Sequence, residues 1–442
     1  MARPCDFTAK LVTDPLRVQL EQDSPRVRYA LDVLASLLSC EWVAVTEHAE
    51  LTYGSDLTAG PQAGWDEPDA QVAAGELPML YRPNGSPDML YSTYACLTAP
   101  WERVDPANEM GTPIAATGFL ARHGLLEKPL VHLYAAELAR LAGRTPPSRS
   151  AVVVLTHDVD EHFRHLFGLR ASLMRIRRDA AALRPGAVRR VAGLARELAA
   201  RKRPDPNDTW DEWRTLLGEW RGRGTFFVAA YNLFDRGAGR YDVAYDIRHP
   251  EVAAVFGDLA EAGAEIGVHL SLQAFRSASQ VARERTRLEE ALGRPIRSAR
   301  HHWWALGANW WQTLRAHAEA GLAVDCSFGF NDRAGFRRGI SLPFRPFDPE
   351  RQETLSVWSL PTIAMDHAIF DGATALDEGV ERLRGLLDAT DAVGGALVLD
   401  WHASELQTTA GEGLRAFVRL ALERGAELQT PLDLIRTDDR AR

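Results

Sequence analysis

The chain has 442 residues, 46% hydrophobic and 25% charged, with a net charge of −9. That length asks for two or three domains, the acidic balance argues against general nucleic-acid binding, and no stretch approaches the roughly 18 apolar residues of a membrane span. Cys5, Cys40, Cys96 and Cys326 are scattered without metal-ligand spacing, and the opening residues hold no unbroken apolar run, so reduced thiols, no signal peptide and a cytoplasmic location are expected.

Residues 1–145 read as a first, smaller α/β domain. Apolar residues recur at helical spacing over 26–40 and again over 130–141, while 42–46 and 77–81 read as short strands. A polar, Gly- and Pro-rich stretch runs up to Pro100, and His48, His123 and His132 stand alone, without chemistry around them. The segment RTPPSRS at 144–150 reads as a linker.

The second domain, 150–440, opens on AVVVLTHDVDE at 151–161. An apolar run of this kind followed by a helical pattern reads as a buried parallel strand. His157, Asp158 and Asp160 then lie at its carboxyl end, where α/β folds place their chemistry. A helix-capping Asp explains one of the carboxylates; two with a histidine need a cation or a partner to compensate them.

Next comes a basic helical insertion at about 161–203, rich in arginine and broken at Pro185-Gly186 into two helices. It reads either as a solvated helical face or as a patch that draws an anionic or membrane-bound substrate. A helix follows over 205–220, with Asp208 as the expected N-cap. Strands at 224–230, 264–270, 298–304, 323–327 and 395–401 then alternate with helices at 252–262, 281–292, 310–320, 376–389 and 411–424. Such alternation means a (β/α) barrel or a doubly wound sheet.

Polar residues recur where these strands end: Asp158 and Asp160, His269, Arg300 and His302, Asp325, His402. In a parallel barrel those ends meet on one face. One carboxylate with two imidazoles suits a divalent transition metal, and open coordination positions would make such a site catalytic.

Several motifs resemble the polysaccharide deacetylases of the NodB-homology type (carbohydrate esterase family 4). These are Thr156-His157-Asp158-Val159-Asp160, Thr225-Phe226-Phe227-Val228, Glu265-Ile266-Gly267-Val268-His269 and Leu399-Asp400-Trp401-His402. The segments DPNDTW at 205–210 and SFGFNDRAGFRRG at 327–339 look like a THDVD-bearing branch that carries an extra N-terminal domain. The resemblance implies a distorted (β/α) barrel and metal-dependent hydrolysis of an N-acetyl or O-acetyl group on a saccharide or glycan precursor. The metal would be zinc, with cobalt, nickel and manganese as alternatives.

By the same resemblance Asp158 is the general base, His402 the general acid, and Arg300 the residue that holds Asp158. Asp160 and His269 are metal ligands. The family's next histidine falls on Gln273, a poor zinc ligand, so the third ligand is open among Gln273, His302 and His157, with His302 the candidate. Trp303 and Asp325 are candidate substrate-binding residues, and Trp304, Phe328 and Phe330 would suit sugar faces if exposed. Two alternatives stand beside this reading: an amidase acting on a non-sugar amide, and a non-catalytic glycan- or partner-binding protein. A glycolipid substrate would bring the basic insertion to a membrane surface.

Overall fold

The computed structural model describes residues 14–54, 64–83, 85–181, 205–235 and 241–441. Near the N-terminus, Ser24 accepts a hydrogen bond from the Val27 N–H and Pro25 occupies the first turn, which starts helix α1 (Pro25–Leu37). The helix buries Val27, Leu31 and Leu34. Strand β1 (Leu16–Leu20) lies between β2 (Trp42–Ala44) and β3 (Leu51–Tyr53) in a parallel sheet. Strands β4 (Gln71–Ala73) and β5 (Met79–Tyr81) form an antiparallel pair.

Helix α2 (Met89–Thr98) falls in the stretch that the sequence presents as polar loop. All its residues are buried, so it carries no amphipathic stripe to reveal it. Helix α3 (Leu130–Leu141) forms as its pattern predicts. The core around these elements also takes in Trp310, Leu314, Phe328, Phe344 and Val357 from far along the chain.

The larger sheet begins with β6 (Val152–Val159), followed by α4 (Arg164–Ala181), α5 (Trp210–Glu219), β7 (Thr225–Ala229), α6 (Pro250–Glu261), β8 (Glu265–Leu270) and α7 (Ala278–Leu292). Then come β9 (Ser298–His301), α8 (Trp310–Glu319), β10 (Val324–Asp325), the antiparallel pair β11 (Phe347–Asp348) and β12 (Glu353–Thr354), β13 (Trp358–Ser359) and β14 (Ala364–Met365). The last elements are α9 (Leu376–Asp391), β15 (Ala396–Asp400), α10 (Thr409–Glu423), β16 (Glu427–Gln429) and α11 (Pro431–Ala441). Of the basic insertion, α4 is described and 182–204, with the expected Pro185-Gly186 break and second helix, lie outside the described residues. Thr209, not Asp208, sits at the cap of α5, where Asp211 and Glu212 in the first turn complement the helix dipole. No helix among the described residues is long and apolar enough to cross a membrane.

Eight strands run parallel in the order β13-β10-β9-β8-β7-β6-β15-β14. The ninth, β16, pairs with the start of β6, beside β7, which pairs with its end. The edge strands β13 and β14 are separated by only residues 360–363, and the intervening backbone bonds to both flanks: Leu360 N–H to the Asp325 carbonyl (2.8 Å) and Ile363 N–H to that of Val398 (2.9 Å). Four residues cannot span an open eight-stranded sheet, so the sheet curls until its edges meet.

Alternation along each strand gives the curled sheet two faces. Val153, Leu155, Phe226, Val228, Ile266, Val268, Leu397 and Leu399 pack outward against the helices. Val152, Val154, Phe227, Val324, Ala396 and Val398 fill the interior, with Leu434 and Ile435 of α11 in the same cluster. Above this apolar plug the inward positions turn polar.

Candidate active site

Thr156 and Asp158 continue the inward series of β6, and Asp160 follows just past the strand. His157 points the other way. Its Nδ1 donates to the Trp401 carbonyl (3.0 Å), its ring packs on Trp213, Trp220 and Phe226, and burial pushes its pKa down to about 3. It belongs to the outer core and reaches no other candidate ligand.

Arg300 is fully buried at the end of β9. Its Nε donates to the Cys326 carbonyl (3.0 Å), Nη2 to Thr362 Oγ1 (2.9 Å), and Nη1 lies 2.9 Å from both Asp158 Oδ1 and Asp400 Oδ1. The guanidinium stacks 4.6 Å from the Phe227 ring centroid. Gly267 makes room for that ring: a Cβ there would come within 2.5 Å of Phe227. Burial opposes the Asp158 charge, but the Arg300 guanidinium beside it holds its carboxyl below the usual range. Burial wins at Asp400, whose carboxyl is pushed well up.

His269 ends β8. A carbonyl only accepts, so the 3.1 Å contact from Nδ1 to the Arg300 carbonyl puts the proton on Nδ1 and leaves a lone pair on Nε2. That lone pair faces Asp160 Oδ1 at 3.2 Å, and neither atom has a hydrogen-bond partner. Two buried acceptors aimed at each other need a cation or a proton between them.

His302 completes the group, with Nε2 3.4 Å from Asp160 Oδ2 and Nδ1 3.6 Å from Asp242 Oδ1. Burial opposes charge on this ring, yet Asp160 and Asp242 raise its pKa to about 10. The donor atoms of Asp160, His269 and His302 all lie within 4.8 Å of one another. One carboxylate and two imidazoles with open directions fit a divalent transition metal. Gln273, where the family's next histidine falls, sits at the start of a short 3-10 turn (Ala274–Arg276).

On the other side of Asp160, His402 Nε2 lies 3.6 Å from Oδ2. Its Nδ1 and its backbone N–H both donate to Asp366 (2.9 and 2.6 Å). Burial disfavours the charged ring, but Asp366 raises the His402 pKa well above its ordinary value. Asp242, Asp366 and Asp400 were not singled out by the sequence. Asp366 carried a usable signal: it closes the apolar run LPTIAM as the other site residues close theirs.

Asp325 is a correction. It is fully buried, its carboxylate accepts from the Ser327 N–H and hydroxyl (2.9 and 2.8 Å), and His317 Nδ1 lies 3.4 Å away. Burial raises its pKa to about 6. A substrate cannot touch it; it braces the chain after β10. Trp304, Phe328 and Phe330 are likewise buried, whereas Trp303 is 38% exposed beside His302. Trp303 and Trp304 both have left-handed φ values (59° and 52°), a conformation that costs about 1–3 kcal/mol per residue.

No protein-family model matches the chain, and no curated protein sequence does. Among solved structures, it is similar to one described as a putative polysaccharide deacetylase from Mycobacterium smegmatis, with 20% identity and a TM-score of 0.44 over 67% of this chain and 92% of the other. A PuuE allantoinase aligns at 17% identity and TM-score 0.38, covering 54% and 76%. A CE4 family pseudoenzyme from Bacillus anthracis aligns at 12% identity and TM-score 0.34, covering 65% and 66%. At such distances a function has to rest on the chain's own residues.

Proposed function

We propose that the chain is a metal-dependent hydrolase that removes an N-acetyl or O-acetyl group from a saccharide or glycan precursor. One observation carries this reading: the Asp160–His269–His302 donor set lies between an ion-paired carboxylate, Asp158, and an aspartate-held imidazole, His402. The motif resemblance at Asp158, His269 and His402 supports it, and His302 takes the place that Gln273 leaves.

Bound by those three residues, a divalent metal such as zinc would polarise the acyl carbonyl and acidify water. Asp158 is the general base. Its Oδ1 is engaged by Arg300, while Oδ2 lies 3.8 Å from His269 Nε2, facing the donor set, and takes the proton of the attacking water. Arg300 keeps that carboxylate ionised and oriented. His402 protonates the leaving amine or alkoxide, its ring fixed by Asp366 so that Nε2 faces the centre. Trp303 stands at the entrance as a contact for the saccharide. Residues 1–145 serve as an accessory unit to a catalytic unit at 150–440.

The same proposal gives the basic insertion a membrane-surface role, supported on α4 by exposed Leu166 and Leu173 beside exposed Arg170 and Arg177. Anionic liposomes should bind wild type and lose a variant with both arginines reversed in charge; equal binding would end that part.

The test of the reaction is acetate release from N-acetylated and O-acetylated oligosaccharides. Activity should vanish on chelation, return with zinc, cobalt, nickel or manganese, and be absent from Asp158→Asn. A metal-loaded wild type inactive on every such saccharide would overturn the reading in favour of a non-sugar amidase or a glycan-binding protein.

A further inference from the structure

The N-terminal region reaches the entrance of the candidate site along one loop, residues 105–117. Buried Thr112 donates its hydroxyl to the main-chain oxygen of Trp303 (2.8 Å), and Asn331 Nδ2 donates to the same oxygen (3.1 Å). The loop is braced internally, since Asn108 Oδ1 accepts from the N–H groups of Met110 and Thr112 (2.9 and 3.0 Å). It is also anchored to the barrel: the N–H groups of Ala115 and Ala116 each donate to one carboxylate oxygen of Asp332, both at 2.9 Å. Glu109 accepts from the phenol of Tyr241 (3.1 Å), and that ring stands edge-on to Trp303 with centroids 6.0 Å apart.

Trp303 is the point on which these contacts converge. It follows a candidate metal ligand, leaves its indole partly in solvent, and has a left-handed backbone that an aromatic residue keeps only when its surroundings over-determine it. Two donors on one carbonyl supply that constraint, and one of them comes from a residue 191 positions away. A loop that merely covered the barrel would not need to grip the peptide beside His302.

We propose that loop 105–117 is one wall of the substrate site and that Thr112 is a positioning residue, fixing the Trp303 peptide so that its indole stands at the entrance. The indole and Tyr241 then offer an aromatic corner to the apolar face of a saccharide ring, with the Glu109 carboxylate beside it for hydroxyl groups. The saccharide rests on the function proposed above; the positioning does not.

The experiment compares wild type, Thr112→Val and Thr112→Ser, each with and without Trp303→Phe. Iodide quenching of the Trp303 indole is read as the difference within each pair. KM and kcat are measured on an N-acetylglucosamine tetramer, and zinc affinity on the same proteins. Thr112→Val should change the quenching of Trp303 and raise KM about fivefold, the worth of one hydrogen bond, with kcat and zinc affinity kept. Thr112→Ser should restore both readings. Unchanged quenching in Thr112→Val would overturn the proposal, as would a lower melting temperature with KM unmoved on a substrate that wild type hydrolyses. If wild type hydrolyses no acetylated saccharide, the functional reading alone fails, and the quenching comparison still decides the positioning.

Discussion

Asp242 Oδ1 lies 3.6 Å from Nδ1 of His302, on the far side of the ring from Asp160, and also accepts a hydrogen bond from the Leu272 N–H at 2.9 Å. One buried carboxylate thus ties the ring of the third donor to the loop after β8, beside Gln273. A histidine whose second nitrogen is held by a carboxylate is oriented before the metal arrives and is a stronger base toward it. Asp242→Asn is therefore expected to weaken zinc binding about 10- to 100-fold, as loss of such outer partners does. Competition against a chelating dye measures this. His302→Ala should weaken it further, and a His302→Ala protein that bound zinc as wild type does would remove His302 from the ligand set.

Arg300 is the second hinge of the site. Arg300→Met would leave Asp158 and Asp400 buried without their cation, a loss on the order of 3–5 kcal/mol. Arg300→Lys should recover only part, because an ammonium cannot reach the Cys326 carbonyl, Thr362 and both carboxylates together. Urea unfolding gives the numbers. Asp158→Asn in the Arg300→Met background should regain some stability by removing the carboxylate that Arg300 keeps ionised. A single-variant loss below about 1 kcal/mol, the range of exposed pairs, would mean that the cluster is solvated.

What was readable in the chain follows from how each residue is placed. Asp158, His269 and His402 close apolar runs, so the break in hydrophobicity marks them, whereas Arg300 follows only Ser298 and Ala299 and is marked by its place at a polar strand end. Alternation explains the opposite fates of neighbours: His157 and His301 face the helices, whereas Asp158, Arg300 and His302 face inward. The sequence offered His157 as a ligand because spacing alone does not say which face of the strand is the interior. Asp242 lies outside any helix or strand, where no periodicity exists. Strands β13 and β14, two residues each, are too short for any pattern, yet they bring the sheet's edges together. Helix α2 was hidden for another reason: it is buried on every side and carries no amphipathic stripe.

Loss of His402 should separate chemistry from metal binding. His402→Ala is expected to lower kcat about 10²- to 10⁴-fold, the usual contribution of a general acid or base, while zinc content stays as in wild type. Asp366→Asn should follow in the same direction, since an amide can donate to Nδ1 as well as accept from it and no longer fixes the tautomer. An aryl acetate, whose leaving group needs no proton, should suffer much less in both variants. Zinc lost along with kcat would place His402 among the ligands instead.

Glu284 gives a pH dependence away from the donor set. It is fully buried in α7, accepts from the Ser271 N–H (2.8 Å), the Ser271 hydroxyl and Gln280 (2.7 Å), and burial is the main cause that raises its pKa from 4.5 to about 7. Between those values the folded chain keeps a proton that the unfolded chain has released. Stability from this group is therefore full below pH 4.5, falls as pH rises, and is gone above about 7. The shift is worth on the order of 3 kcal/mol. Glu284→Gln, neutral at every pH, should remove that slope, so the variant is expected to gain on wild type steadily from pH 5 to 7 and then run parallel to it. Urea unfolding of both proteins across pH 4.5–8 reads this directly, and a constant difference between them would mean that Glu284 is ionised in the folded protein throughout.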